Sequence, residues 1–153
     1  MMLKVRIIPL LLLRNNRLVK GVQFDNYRDT GDPATAARVY NSQFVDELIF
    51  LDIDATNSQR KTNFEIIRKV SQECFMPLTI GGGITDIEDV NTLLSAGADK
   101  VVINTSAIQN PDLIFKSSKK FGNQCIIVGI DVKFDDNEYR IYSHSGIIKT
   151  SLN

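Results

Sequence analysis

Short runs of consecutive apolar residues alternate along this chain with stretches whose apolar positions recur every three or four residues. The runs are Val5–Leu13, Glu47–Ile53, Leu78–Ile80, Lys100–Ile103 and Ile126–Ile130. Most are continuously apolar rather than alternating, the pattern of parallel strands covered on both faces. Between them lie helices with legible ends. Asp32 precedes Pro33 at a first helical position, with Ala36, Ala37, Val39 and Tyr40 following. Asn63 opens Phe64–Glu73, where Phe64, Ile67 and Val70 share a face. Thr85 or Asp86 starts Ile87–Ala96, which Gly97 ends. Asn110-Pro111 starts a helix through Lys120, closed by Phe121-Gly122. Past Asp131, Val132–Phe134 and Tyr139–Ser143 flank Asp135-Asp136-Asn137, a hairpin signal.

Strands alternating with helices predict an α/β fold whose parallel strands are joined by right-handed crossovers. An open doubly wound sheet and a (βα)8 TIM-type barrel both satisfy that rule. A dinucleotide-binding sheet carries its glycine fingerprint after strand one, whereas here Leu13 leads into Arg14-Asn15-Asn16-Arg17. The barrel is the better match. A complete barrel needs about 250 residues, so residues 1–153 are expected to form a single partial barrel domain of five βα strands and a following hairpin.

Chemistry then collects at the strand ends. Gly81-Gly82-Gly83 directly follows an apolar strand and lets the backbone approach a ligand closely, with N–H groups aimed at an anion. Asn104 and Thr105 end the next strand, so they fall beside that loop at the C-terminal edge of the sheet, where a phosphate would be cradled. A tight strand-to-helix turn without ligand is the other reading of three glycines. Arg6, Glu47 and Lys100 begin strands and would ring the barrel bottom, as a functional cluster or as ordinary surface ion pairs. Asp52 and Asp131 end strands at the top. Asp131 is a candidate acid/base, or a residue that caps the following turn.

Composition narrows the partners. Lys plus Arg and Asp plus Glu both total 18, so no bulk field favours nucleic acid or an anionic membrane. The two cysteines, Cys74 and Cys125, lack metal spacing and are expected to be buried, reduced thiols of a cytoplasmic protein. No metal or cofactor is expected. The apolar run Ile7–Leu13 is too short to span a membrane, lacks a small-residue cleavage site, and predicts a buried strand.

Several stretches together resemble the cyclase subunit family of imidazole glycerol phosphate synthase. They include Arg6-Ile7-Ile8, Leu18-Val19-Lys20-Gly21, Asn26 through Pro33, Asp46 through Ile53, Gly81-Gly82-Gly83-Ile84, Gly97 through Val101, Ile103-Asn104-Thr105, Ile130-Asp131 and Ser145-Gly146. The resemblance implies a barrel that receives ammonia from a glutaminase docked at its bottom and closes an imidazole ring on a phosphorylated substrate. By that resemblance Arg6, Glu47 and Lys100 are gate residues, and Asp99 belongs to partner docking. Asp131 is the general acid/base. Lys20, Asp52, Gly81, Gly82, Gly83, Asn104, Thr105, Ser145 and Gly146 serve substrate and phosphate binding.

Two departures qualify this. Leu12 stands where the family carries its first catalytic aspartate, and leucine moves no protons, a loss worth about 10²–10⁴-fold in rate. The family's remaining strands, fourth gate residue and second phosphate site lie beyond Asn153. The leucine-rich first strand and Glu73-Cys74-Phe75-Met76-Pro77 further resemble a divergent branch linked to amidation of surface-polysaccharide sugars. The chain is therefore expected to be inactive alone. The alternatives are a non-catalytic ammonia-conducting partner or a half-barrel scaffold, in either case a homo-oligomer that covers its open sheet edges.

Overall fold

The computed structural model describes residues 4–22, 25–135 and 137–152. Strands β1 (Leu10–Arg14), β4 (Leu48–Asp52), β5 (Leu78–Gly81), β6 (Lys100–Ile103) and β7 (Ile126–Val128) run parallel, in chain order. The crossovers carry α1 (Pro33–Ser42), α2 (Phe64–Glu73), α3 (Ile87–Ser95), a short α4 (Thr105–Gln109) and α5 (Asp112–Phe121). The order β1-β4-β5-β6-β7 is that of successive strands in a (βα)8 barrel. An antiparallel hairpin, β2 (Arg17–Val22) and β3 (Asp25–Gly31), extends the sheet beyond β1.

The helix ends follow the sequence signals closely. The Asp32 carboxylate accepts the Thr35 N–H, and Asn63 caps α2 through the Glu65 N–H. Asp86 and Asp89 form a reciprocal capping box on α3. Gly97 and Gly122 both hold positive φ, the conformation that ends a helix at least cost with glycine.

Period-two alternation divides each parallel strand between two faces. Leu13, Leu48, Phe50, Leu78, Ile80, Val101 and Ile103 face outward and are buried with Ala37, Ile67, Val70, Val90, Leu93 and Leu113 of the helices. The intervening positions face the barrel interior. Cross-strand register sets Leu12 beside Leu51, Leu51 beside Gly81, Gly81 beside Val102, and Val102 beside Ile127, an almost wholly apolar inner row. Gly81 is required there, because a Cβ would meet Leu51 Cδ2 at 2.6 Å and Val102 Cβ at 2.9 Å.

Several expectations are corrected. The first strand begins at Leu10 rather than Val5; Pro9 has no N–H to donate to a ladder, although the Ile7 and Pro9 carbonyls still accept from Asp46 and Ile49. Ile7 and Leu10 are 66% and 51% exposed, so of this run only Leu13 is fully buried. The β2–β3 hairpin escaped the periodicity reading because Arg17–Gly31 is mostly polar and edge-exposed. Cys74 and Cys125 are free and half-buried rather than buried.

After β7 the chain leaves the barrel sheet. Strands β8 (Asp131–Asp135), β9 (Glu138–Ser143) and β10 (Ile148–Lys149) form a small antiparallel sheet. The expected hairpin is present with its strands one residue longer at the turn; Asp136 of that turn lies outside the described residues. Asp131 opens β8 instead of ending β7.

Phe50 is fully buried at the centre of the sheet-helix interface. Phe50→Ala is expected to cost about 3–5 kcal/mol, read as a lower denaturant midpoint with an unchanged slope.

Candidate functional site

The two ends of the inner sheet face carry different chemistry. At the N-terminal end, Glu47 is 3% exposed. One carboxylate oxygen accepts from Lys100 Nζ at 2.7 Å, with Arg6 Nη1 at 3.6 Å; the other accepts from Thr79 Oγ1 at 2.7 Å. The sequence-predicted bottom residues Arg6, Glu47 and Lys100 are thus brought together, and Thr79 is an addition that its apolar surroundings concealed. Asp99 lies beside them, where its carboxylate accepts the Leu78 N–H and its own N–H donates to the Leu78 carbonyl, both at 2.8 Å. Burial pushes the Glu47 carboxyl up, but the Lys100 and Thr79 hydrogen bonds and the nearby cations outweigh it, leaving the group below its ordinary value.

At the C-terminal end the inner row opens into a cavity of about 340 Å³. Leu12, Leu51, Val102 and Ile127 form its apolar wall, and Asp52, Gly82, Asn104, Thr105, Asp131 and Ser145 line it. Asp52, Gly82 and the Asn104–Thr105 pair come from the ends of three parallel strands, Asp131 from the start of β8, and Ser145 from the turn after β9. Leu12 and Asp131 share this cavity. Gly81 and Gly83 stand behind the lining, and the Gly146 carbonyl is taken by Lys133 Nζ. Lys20 is not brought in: it lines a second groove, between β1 and the β2–β3 hairpin, with Leu18, Val19 and Thr30.

Gly82 and Gly83 adopt φ of 116° and 62°. Their need for glycine comes from the chain itself. A Cβ at Gly82 would stand 2.3 Å from the Asp52 carbonyl oxygen, and one at Gly83 would stand 2.6 Å from the Arg60 carbonyl oxygen. The turn therefore packs against the end of β4 while presenting its other side to the cavity. Thr62 Oγ1 fixes it further by donating to the Gly82 carbonyl at 2.7 Å.

Asp52 is 7% exposed. It accepts from Arg60 through two bonds, Nη1 at 2.7 Å and Nη2 at 3.0 Å, and from the Asp54 and Ala55 N–H groups. The contact with Asp52 holds the Arg60 guanidinium above its already high range. Arg60 gave no signal in the sequence, since it lies in the irregular loop after β4. Tyr27 also lines the cavity, with the Arg14 guanidinium 5.2 Å from its ring centre. Burial pushes the Tyr27 hydroxyl up, and Arg14 opposes the shift.

Asn104 and Thr105 meet differently. Asn104 Oδ1 is buried without a partner, and a half-turn of the amide exchanges that acceptor for the N–H₂ donor an anion needs. Thr105 Oγ1 accepts the His144 N–H at 3.0 Å, while Ser145 Oγ donates to the Ile53 carbonyl at 3.0 Å. The turn after β9 thereby spans the cavity mouth from β6 to β4, with His144 and Ser145 both at positive φ. Among the described residues no group of three His, Cys, Asp or Glu side chains is arranged to hold a metal ion.

Parallel strands joined by helices, with a partly polar cavity at their C-terminal ends and a buried ion cluster at their N-terminal ends, define the chain as part of a (βα)8-type barrel. The chain belongs to the histidine biosynthesis protein family, whose family model matches residues 6–153. It is 51% identical over 151 residues to the imidazole glycerol phosphate synthase subunit HisF of Dehalococcoides mccartyi strain BAV1. It is 49% identical over 151 residues to the protein of that name from Exiguobacterium sp. strain AT1b. The alignments cover 99% of this chain and 60% and 59% of those relatives, so the chain spans under two thirds of their length.

The Glu47 cluster carries a stability prediction. A carboxyl whose folded pKa is depressed contributes stability above its unfolded value, near 4.5, and loses it as pH falls toward the folded pKa. The denaturant midpoint is expected to fall more between pH 7 and pH 3.5 in the native chain than in Glu47→Gln. Lys100→Met, which strips the buried carboxylate of its closest cation, is expected to cost about 3 kcal/mol or more at pH 7.

Proposed function

We propose that this chain is a HisF-like barrel segment that accepts ammonia at its N-terminal rim and holds a phosphorylated substrate at its C-terminal rim, with ring closure disabled at Leu12. The observation that carries this reading is the contrast along one inner face. The Arg6–Glu47–Thr79–Lys100 cluster is assembled at one end, while at the other Leu12 shares a cavity with Asp131. Between them the inner row is apolar, a surface that a small neutral molecule such as ammonia crosses more readily than an ion does.

On this reading Asp131 holds or moves a proton at the substrate, and the Gly82 turn with Asn104 and Thr105 binds one phosphate. Asp99, beside the lysine of the cluster, meets a glutaminase subunit. Lys20, on the outer groove, acts only where the β2–β3 hairpin moves toward the cavity. A reducing cytosolic setting suits two free cysteines. A second reading, ammonia transfer without cyclisation in amidation of surface-polysaccharide sugars, is favoured by the same leucine. It needs the gate and the apolar passage but no acid/base pair.

Ammonia-dependent turnover with the phosphorylated ribulosyl aminoimidazole substrate tests the proposal. The native chain is expected to show none measurable, and Leu12→Asp to raise the rate by about 10²-fold or more where the rest of the site is complete. Native turnover within tenfold of a HisF relative would overturn it.

Self-association is proposed on separate grounds. No described strand pairs with the far edge of β7, and Val128, Ile130, Val132 and Phe134 beyond it are all exposed. Unpaired backbone beside exposed apolar side chains favours pairing with a second copy. Sedimentation equilibrium of the 153-residue chain at micromolar concentration is expected to give a dimer or larger species, and a single species near 17.2 kDa would refute it.

A further inference from the structure

The phosphate reading leaves one electrostatic problem at the cavity, and Arg60 answers it. Asp52, a buried carboxylate, lines the same cavity as Gly82, Asn104 and Thr105. It also lies directly against the glycine turn: a Cβ at Gly82 would stand 2.8 Å from the Asp52 Cβ. A dianion settling on that turn therefore meets a fixed negative charge across one layer of backbone, in surroundings where like charges repel far more strongly than in water. Residues Gly82, Asn104 and Thr105 contribute no positive charge to offset it. The cation in contact with Asp52 is Arg60, which takes both carboxylate oxygens in a forked pair.

Arg60 is itself held in place. Its N–H donates to the Ala55 carbonyl at 2.9 Å, and its Nη1 also reaches the Lys61 carbonyl at 3.3 Å. Its carbonyl lies against Gly83, and Thr62, two residues on, bonds the Gly82 carbonyl. The loop that carries the guanidinium to Asp52 thus also braces the glycine turn from behind.

We propose that Arg60 is a positioning residue for the phosphate cradle, neutralising Asp52 so that a dianionic phosphate settles on the Gly82 turn and the Asn104–Thr105 strand end. This deepens the phosphate reading and rests on it. Arg60 acts through Asp52, not by touching the ligand. A purely structural staple and an electrostatic role differ in one respect. If Arg60 serves charge balance, removing both charges restores binding; if it only holds the loop, removing both leaves binding as poor as removing one.

Titration with inorganic phosphate at pH 8, followed by the Gly82 and Gly83 amide shifts, tests this. The native chain is expected to bind in the high micromolar to millimolar range (order of magnitude). Arg60→Gln is expected to weaken binding by about tenfold or more. Arg60→Lys, which keeps the charge, and the double variant Asp52→Asn with Arg60→Gln are both expected to stay within about threefold of the native chain. Native-like binding by Arg60→Gln overturns the proposal, as does a double variant as weak as the single one. Should Arg60→Gln fail to fold, the double variant decides alone: native-like affinity supports the role and a tenfold loss overturns it. A native chain whose glycine amides do not respond to phosphate overturns the phosphate reading itself, a result distinct from binding that ignores Arg60.

Discussion

A Cβ at residue 82 would stand 2.3 Å from the carbonyl oxygen of Asp52, and the whole C-terminal rim is arranged around that approach. It lets the turn after β5 lie flush against the end of β4, so the two strand ends share one cavity wall. It also buries Asp52 beneath the turn, which obliges the chain to supply Arg60 as a partner. The β4–α2 loop follows from that obligation: Arg60 reaches back to Asp52, and Thr62 reaches the Gly82 carbonyl. A glycine that would ordinarily be explained by ligand access is here first a condition of the protein packing against itself. The two uses are compatible, since the contact occupies only one side of the turn.

The N-terminal rim obeys a different constraint. Glu47 faces the barrel interior because strand alternation puts it on the same side as Ile49 and Leu51, and an interior carboxylate must be satisfied. Thr79 and Lys100 satisfy it from the next two strands, at inward positions fixed by the parallel register. The barrel interior is thus polar below, apolar in the middle and mixed above. At the upper end of that gradient Leu12 and Asp131 line the same cavity, so an apolar side chain and a carboxylate share one wall.

Much of this could be read from local pattern. Continuous apolar runs announce parallel strands because two-sided burial leaves no polar face. The Asp32, Asn63 and Asp86 caps and the Gly97 and Gly122 stops fall where local side-chain and backbone chemistry puts them. The strand-end positions of Glu47, Lys100, Gly82, Asn104 and Thr105 follow from where those apolar runs begin and end. Where Pro9 interrupts the ladder and where the polar β2–β3 hairpin extends the sheet to a new edge at β3, the apolar pattern misleads. Edge strands bury little and so carry little of it.

The sequence by itself determined the order of the parallel strands and of the main helices between them, since these depend on apolar runs, the 3.6-residue period and local caps. Tertiary structure alone decided which polar groups meet. Arg60 finds Asp52 across an irregular loop, Thr79 finds Glu47 across a strand pair, and the His144–Ser145 turn finds Thr105 and Ile53 from a separate sheet. Such contacts join residues 8 to 92 positions apart. Nothing in their local sequence encodes the distance between them; the register of the sheet and the path of each loop set it.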